Sequence, residues 1–365
     1  MNPTPADVRH MARALALAKR GLYTTDPNPR VGCVLVKNDK VVGEGWHERA
    51  GAPHAEIHAL KQAGAAARGA TAYVSLEPCC HQGRTPPCTQ ALIQAGVVRV
   101  LAAMRDPNPQ VAGQGLAELE RASIDVDSGL LQAEAEHLNP GFSLRMTDAR
   151  PYVRVKLAAS LDGRTALANG TSKWITGESA RADVQRLRAR SSAILTGIGT
   201  VLTDDPALTV RELDIGRQPL RVVVDRHLRM PPTAQMLRLP GKTLLVTASG
   251  DQLAAQSLRS AGAELLQAKV TQDRVDLAWL LRQLAVRECN EVLVEAGATL
   301  SGALLEAGLV DELIVYLAPH LMGNNARALF NFGIETMQDR IDIEIQDMRA
   351  LGKDWRVTAM VKNSL

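Results

Sequence analysis

Aromatic residues are scarce: three Phe, four Trp and four Tyr in 365 positions. A chain so poor in rings lacks the stacking platform on which single-stranded nucleic acids are held. An excess of charge of one sign is lacking too. Forty-two basic residues stand against 39 acidic ones, for a formal net charge of +3. No basic block stands out, so neither a nucleic acid nor a membrane surface is demanded as partner. No uninterrupted apolar run approaches the roughly 18 residues of a spanning helix, and Met1 to His10 has no apolar centre of the kind a signal peptide needs. Cysteine is sparse and odd in number (Cys33, Cys79, Cys80, Cys88 and Cys289). That argues against a disulfide framework and for a reducing compartment. There is no internal repeat and no low-complexity tract. The expectation is a soluble, cytoplasmic protein.

What is present is apolar material, 46% of the residues, enough for proper cores. The length suits two domains of roughly 150 to 200 residues. In the first half, Val8, Met11, Ala12, Leu15 and Ala18 recur at helical spacing, and Gly21 closes the run. Residues 31–36 and 40–43 read as a hairpin around Asn38-Asp39. A helix is expected from Pro53 to about Gly64, a strand over 71–76, a helix over 89–95 stopped by Gly96, and a strand over 97–103. Helices are expected near 115–121 and 130–137. Asn139-Pro140-Gly141 and then 147–151 read as the linker. The second half alternates again, with strands at 152–159, 193–196, 221–224, 243–246, 291–294 and 312–317. Helices are expected at 178–190, 252–261, 274–286 and 300–307. Such alternation implies layered α/β domains, here residues 1–147 and 151–365.

The densest chemistry lies in two segments: His54-Ala55-Glu56, and a stretch from Pro78-Cys79 to Cys88. One imidazole and two thiolates leave a fourth position open on zinc. A water there ionises near pH 7 instead of about 15.7, and a Glu that is not a ligand can shuttle its proton. These are the parts of a hydrolytic deaminase acting on a nucleobase-like ring. An isolated His-x-Glu is more often a helix cap with a carboxylate that complements the dipole. Three cysteines within ten residues, flanked by prolines, shift the balance. His54, Cys79 and Cys88 are expected as the metal ligands and Glu56 as the catalytic acid–base, with Cys80 and His81 open as further ligands. The common deaminase spelling is P-C-x-x-C, whereas here eight residues separate Cys79 from Cys88.

That eight-residue insert carries a resemblance. Gly45-Trp46-His47, Pro53-His54-Ala55-Glu56, Leu76-Glu77-Pro78-Cys79 and Gly83-Arg84-Thr85-Pro86-Pro87-Cys88 are together similar to the bifunctional riboflavin-biosynthesis deaminase–reductases. Pro27-Asn28-Pro29-Arg30-Val31-Gly32-Cys33-Val34 and Asp106-Pro107-Asn108-Pro109 resemble the family's two substrate loops. Singly, these are ordinary turn sequences. The resemblance implies that Asn28, His47, Arg84, Asp106 and Asn108 contact the deaminase substrate. It further implies a cytidine-deaminase-like three-layer α/β/α domain followed by a dihydrofolate-reductase-like α/β domain.

The resemblance continues through Lys156-Leu157-Ala158-Ala159-Ser160-Leu161-Asp162-Gly163-Arg164, Ser172-Lys173-Trp174-Ile175-Thr176 and Thr200-Val201-Leu202-Thr203-Asp204-Asp205-Pro206, to about Gly323. By pattern alone, Val294 to Ala303 is a strand, a glycine turn and a helix start, a place where free N–H groups can meet a diphosphate. It is neither a G-x-G-x-x-G fingerprint nor a P-loop. The resemblance implies NADPH contacts at Ala158, Trp174, Thr200, Asp204, Gly297, Ala298, Thr299, Leu300, Ser301, Gly302 and Ala303. It implies substrate contacts at Ser172, Arg188, Leu208, Arg211 and Glu295. Arg188 and Arg211 suit a phosphate-bearing substrate, since a guanidinium can hold phosphate through two bonds. Lys156, Asp162 and Glu295 are candidate proton donors.

The expected activity is therefore double. Zinc-dependent hydrolytic deamination of 2,5-diamino-6-(5-phosphoribosylamino)pyrimidin-4(3H)-one precedes NADPH-dependent reduction of the ribosyl group of 5-amino-6-(5-phosphoribosylamino)uracil. The expected partners are these small molecules, with no nucleic acid and no membrane, and the chain is expected to form a homo-oligomer. The competing reading, a tRNA base deaminase with an appended domain, is disfavoured by the scarcity of aromatics and the balanced charge. The last forty residues carry no usable motif.

Overall fold

The structure is a computed structural model describing residues 3–81, 86–109 and 111–362. Two compact units divide it, Met1–Arg150 and Pro151–Leu365.

The first unit opens with α1 (Pro5–Ala18). Thr4 and Asp7 cap it reciprocally, Asp7 N–H donating to Thr4 Oγ1 at 3.1 Å and Thr4 N–H to Asp7 Oδ2 at 2.8 Å. Next come β1 (Gly32–Lys37), β2 (Lys40–Trp46), α2 (Ala55–Ala63), β3 (Thr71–Val74), α3 (Cys88–Ala95), β4 (Arg99–Ala102), α4 (Gln114–Arg121), β5 (Asp125–Ser128), α5 (Gln132–Leu138) and α6 (Pro140–Thr147). The β1–β2 turn uses Asn38 and Asp39 at φ 51° and 60°, the left-handed pair a two-residue hairpin favours. The sheet order is β2-β1-β3-β4-β5. Alternating side chains feed two cores. Val34 and Val36 pack with α1 and with Ala135, Leu138 and Phe142 on one face. Cys33 and Leu35 pack with α2, Leu92 and Leu119 on the other.

Two glycines of β2 set the position of α2. A Cβ on Gly43 would lie 2.2 Å from the Ala59 carbonyl oxygen, and one on Gly45 would lie 2.6 Å from that of Ala55. Only bare backbone lets the helix settle this close.

The first part of the stretch expected as linker, Asn139-Pro140-Gly141, is instead part of this unit, and the division between the units falls within the second part, 147–151. Asn139 is buried and brackets Arg30, accepting from its N–H at 2.8 Å and donating to its carbonyl at 2.9 Å. Pro140 then begins α6 at the helix position where a missing N–H costs nothing.

The second unit contains β6 (Tyr152–Ser160), β7 (Arg164–Ala166), α7 (Glu178–Arg190), β8 (Ala193–Gly197), α8 (Ile198–Asp204), β9 (Leu220–Val224), β10 (Thr243–Thr247), α9 (Gln252–Ser260) and β11 (Ala263–Gln267). It continues with β12 (Val270–Thr271), β13 (Arg274–Val275), α10 (Leu277–Val286), β14 (Glu291–Val294), α11 (Ala298–Glu306), β15 (Glu312–Ala318), β16 (Arg327–Ala328), β17 (Ile343–Leu351) and β18 (Asp354–Val361). Nine strands form one sheet, β11-β10-β9-β8-β14-β6-β15-β18-β17. The first seven are parallel, and β18 and β17 are antiparallel. Helices cover both faces, as parallel strands require. α10 and α11 lie over one face; α8 and α9 cover part of the other, and α7 another part.

One expectation fails here for a local reason. The helix expected over 274–286 begins at Leu277, because Asp276 Oδ1 accepts the Trp279 N–H at 2.8 Å and fixes the N-terminus there. Arg274–Val275 pairs with Val270–Thr271 instead. The final residues, without a readable motif, form the β17–β18 hairpin. Its register slips between Ile345 and Asp347. That bulge interrupts the alternation a period of two would reveal.

Candidate active sites

The C-terminal end of β3 continues as Ser75-Leu76-Glu77-Pro78-Cys79, and the N-termini of α2 and α3 point toward it. His54 stands at the N-cap of α2 and Cys88 at the first position of α3. Among the described residues, one group of His, Cys, Asp and Glu atoms converges as a metal site would. One donor atom each of His54, Cys79 and Cys88 lies within 4.8 Å of the others. His54 Nδ1 is 3.3 Å from Cys88 Sγ and 3.5 Å from Cys79 Sγ. Cys80 and His81 lie outside that group. Two thiols and an imidazole of this spacing suit tetrahedral zinc.

The electrostatics fit a cation. A hydrogen bond from the Cys88 thiol is the main influence holding Cys79 down at about 4, against the opposing effect of burial, with His54 assisting. Cys88 is pushed up by the same bond, by burial and by Glu56. A bound metal would displace the thiol protons and hold both sulfurs as thiolates. Glu56 is buried, at 3% exposure. Burial, with the nearby Cys79, raises its carboxyl to about 6. Among the described residues its Oε2 has no hydrogen-bond partner, which leaves an acceptor in place beside the three donors.

Around this cluster, the His47 ring meets the His54 ring edge-on with centroids 5.4 Å apart. Asn28 Nδ2 is 3.0 Å from His47 Nε2. Asp106 accepts the Asn108 N–H at 2.8 Å. Burial raises the Asp106 carboxyl to about 6 despite that bond. Arg84 lies outside the described residues.

In the second unit a cleft of about 1330 Å³ runs along the C-terminal ends of β6, β14, β8 and β9. It is lined by Ala158, Ser172, Trp174, Arg188, Thr200, Asp204, Leu208, Arg211, Glu295, Gly297, Ala298, Thr299, Leu300 and Ala303. Its size exceeds the few hundred Å³ typical of small-ligand sites and suits a dinucleotide beside a second molecule. Ser301 and Gly302 depart from expectation. Ser301 is fully buried, and a Cβ on Gly302 would lie 2.7 Å from the Asn331 carbonyl oxygen. Both are on the side of α11 that faces the protein.

Arg188 also differs from a free phosphate clamp. It forks onto Glu295, Nε to Oε1 at 2.6 Å and Nη2 to Oε2 at 2.9 Å, and donates to the Thr209 carbonyl at 3.1 Å. Arg211 is exposed at the rim. Lys156 lines the same end, its ammonium pushed down chiefly by burial, with Arg188 adding and Glu295 opposing. Asp162 is occupied elsewhere, accepting the N–H groups of Met322 and Gly323. At the opposite end Val224, Val275 and Leu277 supply apolar walls, with Arg229 and Arg274 beside them. Those two arginines carry no sequence motif, because only the fold brings both to the wall of one cleft. Glu77 was in plain view beside Cys79 but without a role.

Each unit of the chain matches a known protein family. The family described as "RibD C-terminal domain" matches residues 151–357. The "Cytidine and deoxycytidylate deaminase zinc-binding region" matches residues 5–104. The chain is similar to the riboflavin biosynthesis protein RibD of Escherichia coli, 52% identical over 362 residues, covering 95% of this chain and 97% of that one. Among solved structures it is similar to Acinetobacter baumannii RibD, at TM-score 0.92 and 47% identity, covering 98% and 99% of the two chains. It is also similar to the diaminohydroxyphosphoribosylaminopyrimidine deaminase/5-amino-6-(5-phosphoribosylamino)uracil reductase of Thermotoga maritima, at TM-score 0.87 and 32% identity, covering 98% and 99%.

Proposed function

The chain belongs to the RibD family of riboflavin biosynthesis, a zinc deaminase joined to an NADPH-dependent reductase, and from that premise we propose how its residues divide the two reactions. A cytidine-deaminase-like domain and a dihydrofolate-reductase-like domain follow each other along it. The observation that carries the assignment of the first site is the convergence of His54, Cys79 and Cys88 beside the unpartnered Glu56 Oε2.

In the deaminase, His54, Cys79 and Cys88 would hold zinc, which would supply a water ionised near neutral pH. Glu56 Oε2 takes one proton from the attacking water and passes it to the ring nitrogen, where it stays, and then carries the second proton of that water to the departing ammonia. The amino-bearing carbon becomes a carbonyl and one ammonia leaves for each water consumed. Asn28, His47, Asp106 and Asn108 hold the pyrimidinone, and Arg84 is a further candidate contact.

In the reductase, bound NADPH would supply the hydride that the first sugar carbon of the opened, imine-like ribosylamine needs. The free N–H groups at the start of α11 (nine residues) favour the dinucleotide's phosphates, with Ala158, Trp174, Thr200 and Asp204 as further contacts. Ser172, Leu208 and Glu295 border the substrate, and exposed Arg211 meets its phosphate. Arg188 orients Glu295. Lys156 Nζ, with its affinity for a proton lowered by burial, donates the proton the sugar nitrogen needs. Asp162 is set aside as donor, since its carboxylate is committed to backbone.

We read the protein as cytoplasmic on its five free cysteines. Among the described residues no helix is long and apolar enough to cross a membrane. A homo-oligomer is supported by the β17–β18 hairpin, where Ile343, Ile345, Met348 and Trp355 are half-exposed. Metal analysis with paired assays tests the whole reading. Zinc-loaded protein should release ammonia from the diamino substrate and oxidise NADPH with the deaminated product. Ammonia release without any NADPH oxidation would remove the reductase half.

A further inference from the structure

Glu77 is buried, at 3% exposure, and both its carboxylate oxygens are filled by backbone N–H groups of one chain segment. Oε2 accepts from Asp106 at 3.0 Å and Gly113 at 2.9 Å. Oε1 accepts from Gly115 at 2.9 Å and Leu116 at 3.3 Å. Its own N–H donates to the Met104 carbonyl at 3.0 Å. Gly113 is the N-cap of α4 and has no side chain to serve the orphan N–H groups of that helix. Capping alone is met elsewhere by a local Ser, Thr, Asp or Asn. Here a buried carboxylate reaches in from the strand end two residues before Cys79.

The connection closes on itself. From α4, Glu118 Oε2 accepts the Thr89 hydroxyl at 2.7 Å. Thr89, next to Cys88, donates its N–H to the Cys79 carbonyl at 3.2 Å. A ring of bonds therefore runs from Cys79 through Glu77 to the 106–116 segment, along α4, across to Thr89 and back. Little slack is left, since a Cβ on Gly115 would lie 2.1 Å from the Pro78 carbonyl oxygen.

We propose that Glu77 is a positioning residue of the deaminase, fixing Asp106 and Asn108 at their working distance from Cys79 and Cys88. This rests on the reading of Asp106 and Asn108 as substrate contacts. Glu77→Gln replaces an acceptor oxygen with an NH₂ that faces N–H donors, so the segment is released while the three metal donors remain. The expected result is a deaminase KM raised about 10- to 100-fold, with kcat changed less and zinc retained. NADPH oxidation with supplied deaminated product stays unchanged and reports folding of the same chain. A soluble, zinc-loaded Glu77→Gln enzyme with unaltered KM overturns the proposal. Should that variant fail to fold, Gly115→Ala displaces the same segment sterically, and an unaltered KM there is equally fatal. In the unsubstituted enzyme, the N–H groups of Gly113, Gly115 and Leu116 should resist hydrogen exchange; free exchange would also end it. Asp106→Asn separates the two ideas. If it leaves KM untouched, the substrate reading fails; if it raises KM while Glu77→Gln does not, the positioning role fails.

Discussion

At the scale of single residues, chemistry is concentrated where burial and partnership disagree. Glu56 is buried with one oxygen unpartnered, an arrangement that costs stability unless it has a use. Glu56→Gln keeps the shape and removes the base. Ammonia release should fall by about 10²- to 10⁴-fold, with zinc content and NADPH oxidation preserved; ammonia release at the original rate would mean another group moves the proton. Asp7 shows the opposite balance. Burial works against its charge, but the Thr4 N–H and hydroxyl, the Tyr73 hydroxyl and Arg99 outweigh it and hold the carboxyl at about 2. An unfolded Asp titrates near 3.9, so this stabilisation is complete above about pH 4 and is lost as pH falls toward about 2. Denaturant titrations of Asp7→Asn should therefore show lower stability at neutral pH and a flatter loss between pH 4 and 2. His54, Glu56, Cys79 and Cys88 were readable from spacing and chemical type. Glu77 was readable as a letter only, because its four donors lie 29 to 39 positions away.

At the scale of elements, glycine placement and a bulge matter more than propensity. Gly43 and Gly45 let α2 lie against β2, and α2 presents His54 and Glu56. Gly45→Ala should cost about 1–3 kcal/mol through overpacking and weaken zinc retention, both measurable by thermal unfolding and by metal titration. Full zinc affinity in that variant would separate the helix position from the metal site. The β17–β18 hairpin keeps Ile343, Ile345 and Met348 on one face because the register slips between Ile345 and Asp347. Across the strand they meet Val361, Ala359 and Val357. An exposed apolar edge of this kind needs cover. Ile345→Glu should shift the sedimentation of the protein toward the monomer; unchanged sedimentation would place the subunit contact elsewhere.

At the scale of the whole molecule, two units with separate hydrophobic cores carry separate chemistry. Among the described residues the converging metal donors all belong to the first unit. Chelation should therefore abolish ammonia release and leave NADPH oxidation of the deaminated product unchanged, with zinc restoring the first. Loss of both activities on chelation, under conditions where the chain stays folded, would contradict this independence.

The alternating α/β elements and the candidate zinc donors are legible in residue type at short spacing and in periodicity within single elements, whereas the double activity is legible only through the family resemblance of the motifs. The sequence also carried the glycine turn ahead of α11. It took the folded chain to show that Arg188 is spent on Glu295, that Ser301 and Gly302 face inward, that Asn139 to Gly141 is anchor and helix start instead of linker, and that Glu77 ties the strand end before Cys79 to Asp106, Gly113, Gly115 and Leu116. Each of these depends on which donor meets which acceptor across long stretches of chain, and burial makes those pairings obligatory. No local pattern encodes such a pairing.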